Sequence, residues 1–471
     1  MSTIILVAVV VSLFGAAAFA HVLPAEAEAV QTGYGAEVNP TGNPIGGGEG
    51  YTDIVDPGAA DFVVSTKSQL LSALASARSG QTIYVADDAS IDMTGEKNVA
   101  IPSGVTLASG RGRNGSAGGC IFTNSLSRTS GYPVFMNVGS GARITGLRFR
   151  GPDGAIGSSS GWAEAWTGLQ VTRVGGVEVD NCEMYNWPMA AVWAKETPDI
   201  FVHHNYMHHN HRTGLGYGVC VDNGNALIEA NLFDYNRHSV EGERGYPVSS
   251  YEARYNYFRG HSNGHALDMH GGNDVSSSSV PAGGTIHIHH NTVEALVQPN
   301  GSVKYAVNIR GVPTNGAYVY NNWVKYSPSS YSSSWIFRQS LSNLGLKPYV
   351  KMSVYDNWIS LTAPPGINSS PAVPAAPAGL TSGETGTTYT FSAMTSDPDG
   401  DTLYYDVYFG INNNPPLIDE NHLDPFYVLD TLEFSSTYYW KIVCYDSYGN
   451  TNQSSVWSFT TAQEQNNPPV T

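Results

Sequence analysis

Seven short segments of the chain share one pattern, an asparagine held between a strand and two apolar or aromatic residues. They are Val179-Asp180-Asn181-Cys182, His203-His204-Asn205-Tyr206, Glu229-Ala230-Asn231-Leu232, Arg254-Tyr255-Asn256-Tyr257, His289-His290-Asn291-Thr292, Tyr320-Asn321-Asn322-Trp323 and Tyr355-Asp356-Asn357-Trp358. The asparagines lie 24, 26, 25, 35, 31 and 35 residues apart, and Gly146 extends the series one step back. One β segment and one turn per period is the mark of a solenoid, whose units bury their apolar faces only against their neighbours. Asparagine at each corner tolerates the bent backbone and can hydrogen-bond the corners above and below. A stack of β coils follows, with function expected on one face of it.

Composition narrows the setting. Met1–Ala20 is uncharged, apolar and ends in Ala17-Ala18-Phe19-Ala20, which reads as a secretory signal, and no later stretch reaches the length of a membrane span. A formal charge of −17 with 23 Lys+Arg excludes the basic footprint of a nucleic-acid binder. Of the four cysteines, Cys120, Cys182 and Cys220 fall in the coils and allow at most one disulfide there. Cys444 shares a strand face with Trp440 and Ile442 and reads as an apolar filler. Sequons at Asn114, Asn300, Asn368 and Asn452 suit an exported protein.

Along the chain, Gly-, Pro- and Ala-rich residues 21–60 read as a flexible lead-in. Leu70, Leu71, Leu74 and Ala77 then form a helical stripe, capped by Ser65 or Thr66 and stopped by Gly80, suited to cover the open end of the stack. This helix, followed by Gly80-Gln81-Thr82-Ile83-Tyr84-Val85 and Ile101-Pro102-Ser103-Gly104-Val105-Thr106-Leu107, resembles the start of pectate-lyase-like right-handed parallel β-helix proteins. The resemblance spans roughly residues 60–362 and implies an all-β fold, a right-handed parallel β-helix with an N-terminal capping helix over 61–362. It does not settle the reaction, since that fold hosts lyases, hydrolases, esterases and phage tailspikes. Residues 363–380 read as a Pro-rich linker. Alternating stretches over 388–392, 403–409, 438–444 and 456–460 then predict a small β-sandwich over 381–462, similar to fibronectin-type-III and immunoglobulin-like modules, and 463–471 reads as a tail or further linker. The turn Asp397-Pro398-Asp399-Gly400-Asp401 reads as a solvated acidic turn rather than a calcium loop.

Between asparagine corners lies a second strand per coil. Alternation places Val192, Val219, Val240, Leu267, Val307 and Phe337 inward, and Trp193/Lys195, Cys220/Asp222, Glu241, Asp268/His270, Asn308/Arg310 and Arg338 outward. Coils stack about 4.8 Å apart, so one outer sheet is expected to carry three carboxylates, a histidine beside them and cations at both ends. Like charges that close demand compensation, by a metal, a bound cation or raised pKa values. The expected catalytic set is Asp222, Arg237, His238, Glu241, Asp268 and His270, and the expected substrate-binding set is Trp193, Lys195, Asn308, Arg310 and Arg338. Asp222, Glu241 and Asp268 are the candidate ligands of a Ca²⁺ ion. Glu252 and Arg254 share a face as a structural ion pair, and the run His203–His211 reads as corner packing rather than zinc binding.

The expected function is cleavage of an extended, uronic-acid-containing polysaccharide outside the cell, with β-elimination favoured. A cation beside the uronate carboxylate acidifies the neighbouring C–H, and His238 or His270 moves the proton. The alternatives are a glycoside hydrolase that uses two of the carboxylates, or a non-catalytic glycan-binding protein of the cell envelope or matrix.

Overall fold

The computed structural model describes residues 33–125, 132–152, 165–212, 214–295, 303–326, 333–364, 370–375, 389–392, 395–397, 402–423, 426–429, 432–446 and 450–463. Residues 1–20, where a secretory signal is expected, residues 21–32, Asn300, Asn368, 398–401 of the acidic turn and 464–471 lie outside the described residues. The chain divides into two compact units, Met1–Pro364 and Pro365–Thr471.

The first unit is a coil of three parallel sheets, of 11, 10 and 9 strands. Each coil contributes one strand to each sheet; a representative coil runs Ile200–His203, Tyr206–His208, Tyr217–Asp222. Period-2 alternation turns Val202, Ile228, Ala253, Ile288 and Val319 inward in the first sheet, all buried. In the second sheet Phe149, Met184, Met207, Phe233, Phe258, Val293 and Val324 stack in register as one apolar column. Since each coil's interior is covered only by its neighbours, this column is where burial holds the stack together, at about 25 cal/mol per Å². Lys67–Ser76 forms the capping helix, with Thr66 and Gln69 in a capping box and Leu70, Ala73 and Leu74 packed on the first coil.

The corners show how the asparagines act. Asn205 donates from its backbone N–H and its side-chain amide to Asn231 Oδ1 (2.9 and 3.0 Å). The same pair of bonds links Asn231 to Asn256, Asn256 to Asn291, Asn291 to Asn322 and Asn322 to Asn357. Asn181 is not in this ladder. Strand pairing aligns Cys182 with Asn205, and Cys182 N–H donates to Asn205 Oδ1 (2.9 Å). Asn181 occupies the preceding left-handed position (φ 51°), as do Gly146, His204, Ala230 and Tyr255. The histidine pairs pack at these corners, Nδ1 to Nδ1, at 2.8 Å for His203–His204 and for His289–His290. A second, shorter asparagine step joins Asn210 to Asn236 at the opposite corner.

Residues 33–60 are not a loose lead-in but a strap along the corners. Tyr34 stands 6.0 Å from the Trp358 ring, Gly35 N–H donates to Asn321 O (3.0 Å), Gly46 N–H to Ala230 O (2.8 Å) and Gly48 N–H to Asn181 Oδ1 (2.7 Å). Tyr51 then reaches the buried Asp180 (2.9 Å). Glycine is required here for proximity: a Cβ on Gly47 would lie 2.3 Å from His204 O.

All four cysteines are free and buried. Glu252 and Arg254 do pair, at 3.0 Å. Among the described residues no helix is long and apolar enough to cross a membrane.

The second unit holds antiparallel strands. Leu403–Gly410 pairs with Leu417–His422 and Thr437–Asp446, the latter also with Thr451–Gln453 and Trp457–Thr460, and Tyr389–Ser392 pairs with Phe426–Leu429. Trp440, Ile442 and Cys444 share its core with Tyr405, Tyr438 and Phe459. Residues 370–375 are bonded into this unit rather than left as linker: Pro371 O accepts from Asn452 (3.1 Å) and Ala372 N–H donates to Ser396 O (2.9 Å).

Candidate functional site

The 9-stranded sheet gathers the expected site residues on its outer face. Strand pairing sets Trp193, Cys220, Glu241, Asp268, Asn308 and Arg338 in one row. Lys195 and Asp222 stand opposite each other in the next row, and that row continues towards Glu243, because Val221 pairs with Gly242. The three carboxylates therefore do not form one line: Glu241 and Asp268 are neighbours, and Asp222 stands aside.

His238 joins the pair through a bulge. Ser239 and Val240 both donate to Ala266 O (3.0 Å each), so two successive residues point inward and His238 returns to the outer face beside Glu241. Strict alternation would have turned it into the core. Its Nε2 lies 3.3 Å from Asp268 Oδ2.

Asp268 is the charged centre. Arg310 grips it through Nε (2.9 Å) and Nη2, while His238 and His270 flank it. Burial opposes its ionisation, but those cations and imidazoles outweigh burial and hold its carboxyl well below the usual range. His238 is fully buried and held neutral by that burial, with Nδ1 set against the His265 backbone (3.0 Å).

Glu241 differs. Its Oε2 accepts a hydrogen bond from Cys220 Sγ (2.8 Å), while Oε1 has no hydrogen-bond partner, with His270 Nε2 standing 3.7 Å away. Burial, with Glu243 and Asp268 nearby, pushes its carboxyl up to about 7 against the opposing pull of His270 and the Cys220 hydrogen bond. His270 Nε2 is also without a hydrogen bond, 3.6 Å from Asp268 Oδ2. Two adjacent carboxyls, one protonated near neutrality and one ionised, are thus set beside an imidazole whose inner nitrogen is unengaged.

Neither carboxyl is on a solvated ribbon. Both Glu241 and Asp268 have 0% exposure. The outer face here carries its own apolar cluster, including Met189, Trp193, Leu215, Tyr217 and Cys220, which dries the row next to Glu241. Surface is retained by Lys195 (35% of its side chain), Arg310 and His270.

The remaining expected residues are placed less centrally. Arg237 donates to Tyr217 Oη (3.3 Å) rather than to the carboxylates. Asn308 accepts from Ser340 (2.9 Å), and Arg338 lies over the Tyr305 ring (4.7 Å) with a hydrogen bond to its hydroxyl. Lys195 Nζ sits 4.9 Å from the Trp193 ring centroid and 3.7 Å from Asp222.

A calcium ion does not fit the expected ligands. A hard cation needs six or more converging oxygens. Asp268 is spent on Arg310, and Asp222 lies in another row from Glu241 and Asp268. Among the described residues the carboxylate–histidine group that does converge is Glu178, Asp180 and His203 on the first sheet, where Arg143, Tyr51 and Thr145 already occupy Asp180.

Two contributors escaped the sequence reading. Cys220 faces Glu241, and Asp274 bonds His270 Nδ1 (2.8 Å) from the turn after Gly271-Gly272.

Residues 134–324 match the family model described as "Right handed beta helix region". No curated protein matches the chain. Among solved structures, the solution structure of the fibronectin type-III domain of human fibronectin type III domain containing protein 3 is 22% identical over 22% of this chain and 91% of that chain, with a TM-score of 0.15. Geobacillus virus E2 ORF18 is 12% identical over 83% of this chain and 72% of that chain, with a TM-score of 0.30. Superpositions that poor carry no weight for fold or function. The matched region and the three parallel sheets together make the larger unit a right-handed parallel β-helix, a fold shared by polysaccharide lyases and hydrolases.

Proposed function

We propose that this protein is exported and cleaves an extended, uronic-acid-containing polysaccharide at Glu241 and Asp268. The observation that supports this most is the contrast between two carboxyls on adjacent coils. Asp268 is gripped by Arg310 and flanked by His238, which favours its ionised form, while Glu241 is buried with only the Cys220 thiol as hydrogen-bond partner, and that burial favours its protonated form. Opposed environments for paired carboxyls are how one site runs acid and base chemistry at neutral pH. Glu241 donates its proton to the departing glycosidic oxygen as the C–O bond breaks. Water forms the new C–O bond at the anomeric carbon, and Asp268, ionised, takes up the proton that this water loses. Lys195, partly exposed beside the buried Trp193, offers a cation to an acidic sugar.

Hydrolysis is favoured over the β-elimination expected from sequence. Of the cations expected to pair the uronate carboxylate, Arg310 is committed to Asp268 and Arg338 to Tyr305, which leaves Lys195, and Asp222 stands outside the row of Glu241 and Asp268. The complete burial of both carboxyls favours a second reading, a non-catalytic scaffold whose polar network is structural.

Incubation with a panel of acidic glycans separates these readings. New reducing ends without an ultraviolet-absorbing product, lost in Glu241→Gln, are the expected result. An unsaturated product would restore elimination, and no turnover on any glycan would favour the scaffold.

A further inference from the structure

The turn that closes the strand Leu267–Met269 is built to hold one side chain in place. Gly271 and Gly272 have no room for a Cβ: on Gly271 it would lie 2.6 Å from Ala282 Cβ, and on Gly272 2.0 Å from Ser277 O. The short helical turn Gly272–Asp274 is tied to the next coil by Asn273 N–H to Arg310 O (3.0 Å). It is tied to a further one by Asn343, whose backbone N–H and side-chain amide reach Asn273 (2.9 and 2.8 Å). The Asp274 backbone is thereby fixed against two coils. Its Oδ2 receives His270 Nδ1 at 2.8 Å and Gly271 N–H at 3.3 Å, and its Oδ1 stands 3.6 Å from Arg310 Nη1.

We propose that Asp274 is a positioning residue, which holds His270 by Nδ1 so that Nε2 is presented between Glu241 and Asp268. A carboxylate on one imidazole nitrogen keeps the proton there and fixes the ring plane, leaving the other nitrogen for chemistry. Here that other nitrogen is the one lacking a hydrogen bond, 3.7 Å from Glu241 Oε1 and 3.6 Å from Asp268 Oδ2. The catalytic consequence rests on the glycan-cleaving reading of the site; the geometric claim does not. Asp274 also supports an imidazolium at His270, whose pKa is raised despite burial by Asp274, Asp268 and Glu241.

The test begins without substrate. In ¹⁵N-histidine-labelled full-length protein, ring signals of His270 are assigned by their loss in His270→Gln. A proton fixed on Nδ1 is expected in the wild type, and a changed Nδ1 signal is expected in Asp274→Ala. Unchanged His270 signals in folded Asp274→Ala would overturn the proposal. Should that variant fail to fold, the nearly isosteric Asp274→Asn carries the same comparison. With an active glycan in hand, Asp274→Ala should lower kcat at least about tenfold with KM little changed. It should also add nothing to His270→Ala, and full additivity would count against the proposal. Absence of all turnover with altered ring signals would defeat the proposed function and leave the positioning role standing.

Discussion

Replacing Asn256 by alanine should be among the most damaging single changes in the coils. Asn256 is fully buried in the middle of the ladder. Its Oδ1 accepts from Asn231 N–H (2.9 Å) and from the Asn231 amide (3.0 Å), and its own amide donates to Ile228 O (2.8 Å) and Asn291 Oδ1 (3.0 Å). Truncation leaves two donors on Asn231 and an acceptor on Ile228 in a site water cannot enter. Each buried orphan costs about 1–3 kcal/mol, so a loss of roughly 5 kcal/mol follows. Asn357 also makes four bonds, accepting from Asn322 N–H and amide and donating to Val319 O and, in place of a further asparagine, to Tyr355 O, but at a partly exposed corner. Water can replace its partners, and Asn357→Ala should cost only about 1 kcal/mol. Guanidinium unfolding followed by far-ultraviolet circular dichroism gives both values. Hydrogen exchange shows whether protection is lost first in the coils on either side of 256, as nearest-neighbour coupling demands. Equal costs for the two substitutions would refute the view that the ladder acts by satisfying buried groups.

Three further outcomes can be measured on the same protein. Arg143→Ala strands Asp180, which has no exposed surface, and should cost about 3–5 kcal/mol in urea unfolding, relieved when Asp180→Asn is added. Cys182→Asn should gain about 1 kcal/mol, because its N–H already meets Asn205 Oδ1 and its side chain faces Ile144 O (3.6 Å), where an amide would bond. The stability of the wild type relative to Glu241→Gln should fall as pH rises from about 4.5 to 7. In that difference the opposing, rising contributions of His204, His238 and His265, whose pKa values burial lowers, cancel. Folded Glu241 keeps a proton that the unfolded chain releases, worth about 3 kcal/mol for a buried group moved to about 7. His270, also raised, contributes stability below its ordinary value that is lost as pH climbs through the raised one. A difference between wild type and Glu241→Gln that stays constant over this range would contradict the assignment of Glu241 as the protonated partner.

The repeat was legible because a corner is a local object: its asparagine, its left-handed residue and its flanking strands lie within a few positions. The one misplaced corner shows the limit of that locality. Ladder and left-handed positions are adjacent and both suit asparagine, so Asn181 looked like a ladder member until pairing put Cys182 opposite Asn205. The strap was misread for a related reason, since glycine serves freedom and close contact alike, and only the touching atoms tell which. Alternation put Glu241 and Asp268 on an outer face, and His238, expected to border the same carboxylates, reaches them where a bulge breaks the period.

What alternation cannot carry is whether an outward residue is wet. That depends on what the turns between strands lay over the sheet. Leu215 precedes its strand and Met189 ends the previous turn, and both help to cover the row beside Glu241. The acidity of Glu241 is therefore set by apolar residues one and two coils away, and by Cys220, which alternation placed in the same outer row without giving it a role. Asp274 makes the same point from the other side, since it reaches His270 only because two glycines let the chain fold back within four residues. In a solenoid the rungs fix which side chains are neighbours, and the turns fix the medium in which those neighbours meet. The chemistry proposed for Glu241 and Asp268 depends on that medium more than on the order of residues in the row.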